Sequence, residues 1–74
     1  MKIIIYSTPT CPSCKNVKEF LKEKKIKFIT KDVSDKKNAD EMIKKSNQMS
    51  VPVIDIDGKI IIGFDKDKLN RQLK

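Results

Sequence analysis

Seventeen basic and ten acidic side chains in 74 residues give a formal charge of +7, with 38% apolar and 36% charged residues and neither His nor Trp. Such a length holds one domain, residues 1–74, with a thin core. Without His there is no Ser-His or Cys-His nucleophilic pair and no His-ligated metal site.

The lysines lie in three helix-like segments, 15–27, 36–45 and 66–74, interleaved with Glu and Asp as on a solvated helix face. No aromatic residues alternate with them as base-stacking platforms, so nucleic acid is not the expected partner. The charge favours anionic partners, including acidic proteins and carboxylate-bearing thiols. No segment approaches the roughly 18 apolar residues of a membrane span. The opening apolar run is shorter than the roughly seven residues of a signal-peptide core. With only two cysteines, three positions apart, the pattern is not that of a disulfide-stapled secreted domain. A cytoplasmic location is expected, with no membrane partner.

In chain order, Lys2 to Tyr6 is a β-branched run that reads as a buried strand. It ends in the turn cluster Ser7-Thr8-Pro9-Thr10, with Tyr6 beside the loop and its hydroxyl toward solvent. Pro12 suits a first helical position. Cys14, Val17, Phe20 and Leu21 then share one face of a helix running to Lys24 or Lys25. Ile26 to Val33 alternates imperfectly and predicts a second strand. Ser34 or Asp35 can cap a second helix, with Ala39, Met42 and Ile43 inward, that fades near Ser46-Asn47. Val51 to Ile56 predicts a third strand, Asp57-Gly58 a tight hairpin turn, and Lys59 to Ile62 a fourth strand. Asp32, Asp55 and Asp57 read as turn or surface acids. Asp65 caps a last helix with Leu69 and Leu73 inward. The order β-α-β-α-β-β-α predicts an α/β fold, a mixed four-stranded sheet flanked by three helices. Its first half is a right-handed parallel βαβ unit.

The chemistry centres on Cys11-Pro12-Ser13-Cys14. In a βαβ setting this spacing reads as a redox dithiol. Cys11 falls at a helix N-terminus, where unpaired N–H groups and the positive end of the helix dipole favour an anionic sulfur. Lys15, one turn on, adds positive potential. Cys14 is less exposed, and its apolar neighbours favour the neutral thiol. Cys11 is therefore expected to attack a disulfide and Cys14 to resolve the mixed disulfide. A metal reading competes, but two thiols are half of a zinc set, so a second protomer or an added thiol is required.

Three further features accompany the dithiol. Pro52 is either a tolerated first-strand proline or a cis proline that turns the Val51 backbone toward an extended substrate. Gly63-Phe64-Asp65 is a strand end with a helix cap, and equally a place to hold the charged end of a peptide-like thiol, with Phe64 covering it or lying in the core. Thr8 and Thr10 satisfy the turn or bond the dithiol loop.

The run Tyr6 to Lys15, including Thr10, Cys11, Pro12, Ser13 and Cys14, resembles the active-site segment of glutaredoxins. Val51-Pro52 resembles their cis-proline element. Asp57-Gly58 with Gly63-Phe64-Asp65 resembles their terminal hairpin and last helix start. The resemblance implies a thioredoxin-like fold, a cis Pro52 and disulfide reductase activity on disulfide-bearing proteins or glutathione mixed disulfides. It also implies a monomer with no tightly bound cofactor, and glutathione as a co-substrate. Ser13 stands where many glutaredoxins carry Tyr, and Gly63-Phe64-Asp65-Lys66 replaces their paired glycines and acids. In this the chain is similar to small redoxins that take electrons from thioredoxin reductase, a flavoenzyme. Glutaredoxin relatives with Ser at that position bridge an iron–sulfur cluster between two protomers, which makes a cluster carrier using Cys11 the alternative.

Overall fold

In a computed structural model that describes residues 2–73, the elements are β1 (Ile3–Ser7), α1 (Pro12–Glu23), β2 (Ile29–Asp32), α2 (Lys36–Ser46), β3 (Val53–Ile56), β4 (Lys59–Ile62) and α3 (Lys66–Leu73). The sheet runs β2-β1-β3-β4. β1 is parallel to β2 and antiparallel to β3, and β4 is antiparallel to β3. The predicted α/β order and mixed sheet are present.

All five residues of β1 are buried. Because strand side chains alternate, burial of both faces needs cover on both sides. Ile3 and Ile5 join Ile54, Ile56 and Ile61 under Val17 and Leu21 of α1 and Leu69 of α3. Ile4 and Tyr6 join Val53 and Met42 of α2 on the other side. Each such side chain contributes about 1.5–3 kcal/mol on leaving water.

The Asp57-Gly58 turn has positive φ at both residues, 49° and 92°, the geometry that lets a two-residue link follow strand twist. The Lys2 N–H donates to Asp57 Oδ1 at 2.7 Å, and the Asp57 N–H to the Lys2 carbonyl at 3.0 Å, which ties the turn to the start of β1.

Several boundaries differ from the sequence expectation. The second strand begins at Ile29 rather than Ile26. Lys25 takes φ 58°, and its N–H and that of Ile26 bond back to Lys22 and Leu21, so the end of α1 uses these residues. The third strand begins at Val53, because Pro52 has no N–H for the ladder. Asp35, not Ser34, caps α2, accepting from the Lys37 N–H at 3.0 Å.

Two polar residues lie elsewhere than expected. Tyr6 does not face solvent. It points to the α2 side of the sheet, is fully buried, and its hydroxyl has no hydrogen-bond partner among the described residues. Asp55 serves the turn, one of its two expected places, but is not a surface acid. It is 8% exposed, opposite Ile4, and takes Lys45 Nζ at 2.7 Å and the Gly58 N–H at 2.8 Å. Lys45 also lies 5.4 Å from the Tyr6 ring centre and 3.6 Å from Glu41, which pairs with Lys31 at 2.9 Å. This chain of charges fastens α2 across β2, β1 and β3. Asp55, with Tyr6 beside it, holds the Lys45 ammonium well above its ordinary range.

Removing Lys45 leaves the buried Asp55 carboxylate with one neutral donor. Lys45→Met is expected to cost about 1–2 kcal/mol, below the range for fully buried pairs because Lys45 is partly exposed. Lys44→Met, on the exposed side of α2, should change stability by less than about 0.5 kcal/mol. Urea unfolding of the two variants checks the difference.

Candidate active site

β1 carries the chain out of the core to the loop 8–11, and α1 starts at once. Cys11 is the N-cap of α1, with extended φ −90° and ψ 112°, and Pro12 opens the first turn. The Cys14 N–H donates to Cys11 Sγ at 3.2 Å. The Cys11 N–H reaches the Thr8 carbonyl and the Lys15 N–H the Cys11 carbonyl, both at 3.3 Å. The sulfur thus does the work of a capping oxygen for a helix N–H that has no partner in its own helix.

The two thiols, both free, differ in surroundings. Cys11 is half-buried beside exposed Thr10, Pro12, Ser13 and Lys15. Cys14 is 1% exposed. Its thiol is pushed up to about 11, first by burial and then by the Cys11 sulfur, against the opposing pull of the Thr8 N–H and of Lys18. The expected neutral state of Cys14 follows from that burial.

The other predicted residues reach the same end of the sheet by strand register. Tyr6 pairs with Val53, and Val53 with Ile62, so Pro52 and Gly63 stand level with the start of the dithiol loop. The Val51–Pro52 bond is cis. The Gly63 N–H donates to the Pro52 carbonyl at 2.8 Å, and Gly63 has φ +79°. Among the described residues neither the N–H nor the C=O of Val51 is hydrogen-bonded. Asp65 caps α3, its Oδ1 accepting from the Lys68 N–H at 3.2 Å.

Phe64 is a core residue that also borders solvent. It packs against the core and meets Phe20 edge to face, ring centres 6.0 Å apart. The two rings also form one wall of an open groove of about 300 Å³, completed by Asn16, Glu19, Glu23 and Lys66. Sequence reasoning placed Phe20 only in the core. Its position at the edge of the apolar arc of α1, next to Asn16 and Glu19, is the signal that it borders solvent. No three His, Cys, Asp or Glu residues gather into a metal-binding group among the described residues.

A family model for glutaredoxin matches residues 3–61. The chain belongs to the glutaredoxin family. It is 51% identical over 73 residues to an uncharacterized glutaredoxin-like 8.6 kDa protein in the rubredoxin operon of Clostridium pasteurianum, covering 97% of each chain. The crystal structure of the thioredoxin-like protein BC3987 superposes with a TM-score of 0.89 at 35% identity, covering 96% of this chain and 99% of that one. The glutaredoxin-like NrdH-redoxin from Escherichia coli, described as having a thioredoxin-like activity profile, gives a TM-score of 0.83 at 25% identity over 96% and 93% of the two chains. This glutaredoxin-family chain has no helix among its described residues long and apolar enough to cross a membrane.

The raised Cys14 thiol links stability to pH. An unfolded cysteine ionises near pH 8.5, whereas folded Cys14 keeps its proton to about 11. Its contribution is full below about pH 8.5 and is lost as pH rises toward the folded value. The reduced protein should lose about 1 kcal/mol from this group between about pH 8.5 and 10. Cys14→Ala should lack that loss, as read by urea unfolding under reductant at the two pH values.

Proposed function

We propose that this chain is a thiol–disulfide oxidoreductase that reduces protein disulfides through the Cys11–Cys14 couple. The observation that carries the reading is the half-exposed Cys11 sulfur at the N-cap of α1, with a buried neutral thiol one turn behind it. As the thiolate, Cys11 attacks one sulfur of the substrate disulfide. The S–S bond breaks, a mixed disulfide forms, and the departing thiolate takes a proton from water. Cys14 then gives up its proton and attacks Cys11 Sγ. The second substrate thiol leaves, and the chain holds a Cys11–Cys14 disulfide. Two electrons have passed to the substrate, and an external dithiol restores the couple.

The protein then acts as a monomer in a reducing, cytoplasmic compartment with no resident cofactor, since the electrons travel in the sulfurs. Lys15 supports the Cys11 anion. Thr10, Pro12 and Ser13 shape the approach to it, and the free Val51 backbone groups beside Pro52 bond an extended substrate. For the donor, we propose a thioredoxin reductase-type flavoenzyme rather than glutathione. Asp65 already spends a carboxylate oxygen on capping α3, and the position after it is Lys66, so the next acid, Asp67, stands one residue further into the helix rather than beside Asp65. The likeness to an NrdH-redoxin with a thioredoxin-like activity profile supports the same choice.

The test is NADPH consumption with a small disulfide substrate, coupled in parallel to thioredoxin reductase and to glutathione with glutathione reductase. Turnover with the first coupling is expected. Turnover with glutathione alone would overturn the donor and assign Val51, Gly63 and Asp65 to glutathione. Cys11→Ser should lose all exchange, by at least about a thousandfold, while still capping α1 through its hydroxyl. Cys14→Ser should lose two-thiol reduction but keep single-thiol exchange at Cys11. Equal loss of both in Cys14→Ser would contradict the division of roles.

A further inference from the structure

Resting on the dithiol reading above, we infer that Met49 and Ile62 select the substrate. They form an apolar contact for a protein disulfide whose cysteine has a bulky apolar side chain next to it in sequence.

Three large hydrophobic side chains stand out in solvent: Met49 at 77%, Ile29 at 50% and Ile62 at 41%. Strand register sorts them by position. Ile29 pairs with Ile4 at the far end of the sheet. Ile62 pairs with Val53, which pairs with Tyr6, in the row from which β1 departs for Cys11. Ile62 has the alternation of Ile60, so it points to the side of the sheet that carries α2 and the segment 47–52. Met49 lies in that segment, two residues before Val51. Two of the three therefore stand at the dithiol end, near the strand start at Pro52.

Met49 is not exposed because its loop lacks order. Asn47 closes α2 in the left-handed region, at φ 59°. Ser46 Oγ donates to the Met42 carbonyl at 2.8 Å and accepts the Gln48 N–H at 3.2 Å. Ser50 Oγ donates to Gln48 Oε1 at 3.0 Å. The polar groups on either side of Met49 are tied to one another, and the apolar side chain between them is presented outward. Methionine is unbranched and adapts to varied apolar surfaces.

The occupant follows from what lies between the two residues. The unpaired N–H and C=O of Val51 receive an extended segment whose cysteine meets Cys11. Two residues span at most about 7 Å, so the Met49 backbone lies within that distance of Val51, close enough for a side chain adjacent to that cysteine to meet it. Glutathione, with a glutamyl group and a glycine on either side of its cysteine, has nothing to place there. A protein segment with Leu, Ile or Phe beside the cysteine does.

The experiment uses the pre-reduced full chain and two symmetrical peptide disulfides that are identical except for Leu or Ser beside the cysteine. Rapid mixing without any donor gives a second-order rate constant for each. The wild type should favour the Leu peptide by about fivefold, the gain from partly burying one apolar side chain. In Met49→Ser and in Ile62→Thr that ratio should fall toward one, whereas Ile29→Thr should keep it. A wild-type ratio near one, or a ratio unchanged in both Met49→Ser and Ile62→Thr, would overturn the inference and leave the dithiol reading standing. Reaction with neither peptide would overturn the dithiol reading, and the inference with it.

Discussion

The fold depends on a strand with no exposed side. Ile3, Ile4, Ile5 and Tyr6 follow one another in β1, so a helix on a single face would leave half of them in water. α1 and α3 cover one face and α2 the other, while β2 and β3 flank the strand. A strand held on four sides is a rigid stalk. It delivers the loop 8–11 to one fixed place at the rim of the sheet, and the antiparallel register brings Pro52 and Gly63 to the same rim. The site is built from three separated stretches of sequence because three neighbouring strands end or begin there.

At that rim one atom has two tasks. Cys11 Sγ is the acceptor for the Cys14 N–H, so the start of α1 and the reacting sulfur are a single structural feature. Any negative charge that develops on the sulfur during exchange would fall at the positive end of the helix dipole. Cys14 is on the inner side of the same turn, where burial favours the neutral thiol. One turn of helix thereby separates two chemically identical side chains into a partly exposed one and a buried one, the contrast on which the proposed division of roles rests. The contrast comes from the direction each side chain takes from the helix axis.

Much of this was legible in the sequence because local rules and tertiary demands agree. Pro12 at the first helical position, Asp57-Gly58 between β-branched runs, and Leu69 with Leu73 on one helix face each name their own structure. Readings failed where a residue's fate was decided by a distant partner. Asp55 has the composition of a surface residue, and only Lys45, ten positions earlier on α2, makes its burial possible. Tyr6 follows three residues that already alternate between faces, so its direction was fixed by parity, but the helix that covers it lies thirty residues on. Ile26 to Phe28 resemble a strand in pattern, yet the backward bond that closes α1 claims Ile26 first, and the ladder begins only at Ile29. In the dithiol region the spacing of Cys11 and Cys14 is what the proposed chemistry is read from, and the resemblance of Val51-Pro52 to a family element indicated the cis bond that the structure contains. Met49 carried no signal, since a methionine in a polar loop reads equally as buried or exposed until the loop's hydrogen bonds are seen.

The distribution of charge is the reason the proposed selection rests on apolar contacts rather than on the net +7. The ion pairs among the described residues all lie on the α2 side, joining Lys31, Glu41, Lys45 and Asp55. On α1, Lys15, Lys18 and Lys22 fall on one flank by helical spacing and enter no such pair, while Glu19 and Glu23 line the groove beside Phe64 on the other. The unpaired lysine flank attracts acidic surfaces in general. That attraction is screened over about 8 Å at physiological salt, and it acts on the rate of approach more than on the identity of what arrives. Discrimination among disulfides requires groups that touch the chain on either side of the reacting cysteine. At the dithiol end of the sheet those are the uncharged backbone of Val51 and the apolar side chains near it. In the proposed exchange a basic exterior gathers partners and an uncharged contact sorts them in sequence, the first at a distance and the second once the two sulfurs are within reach.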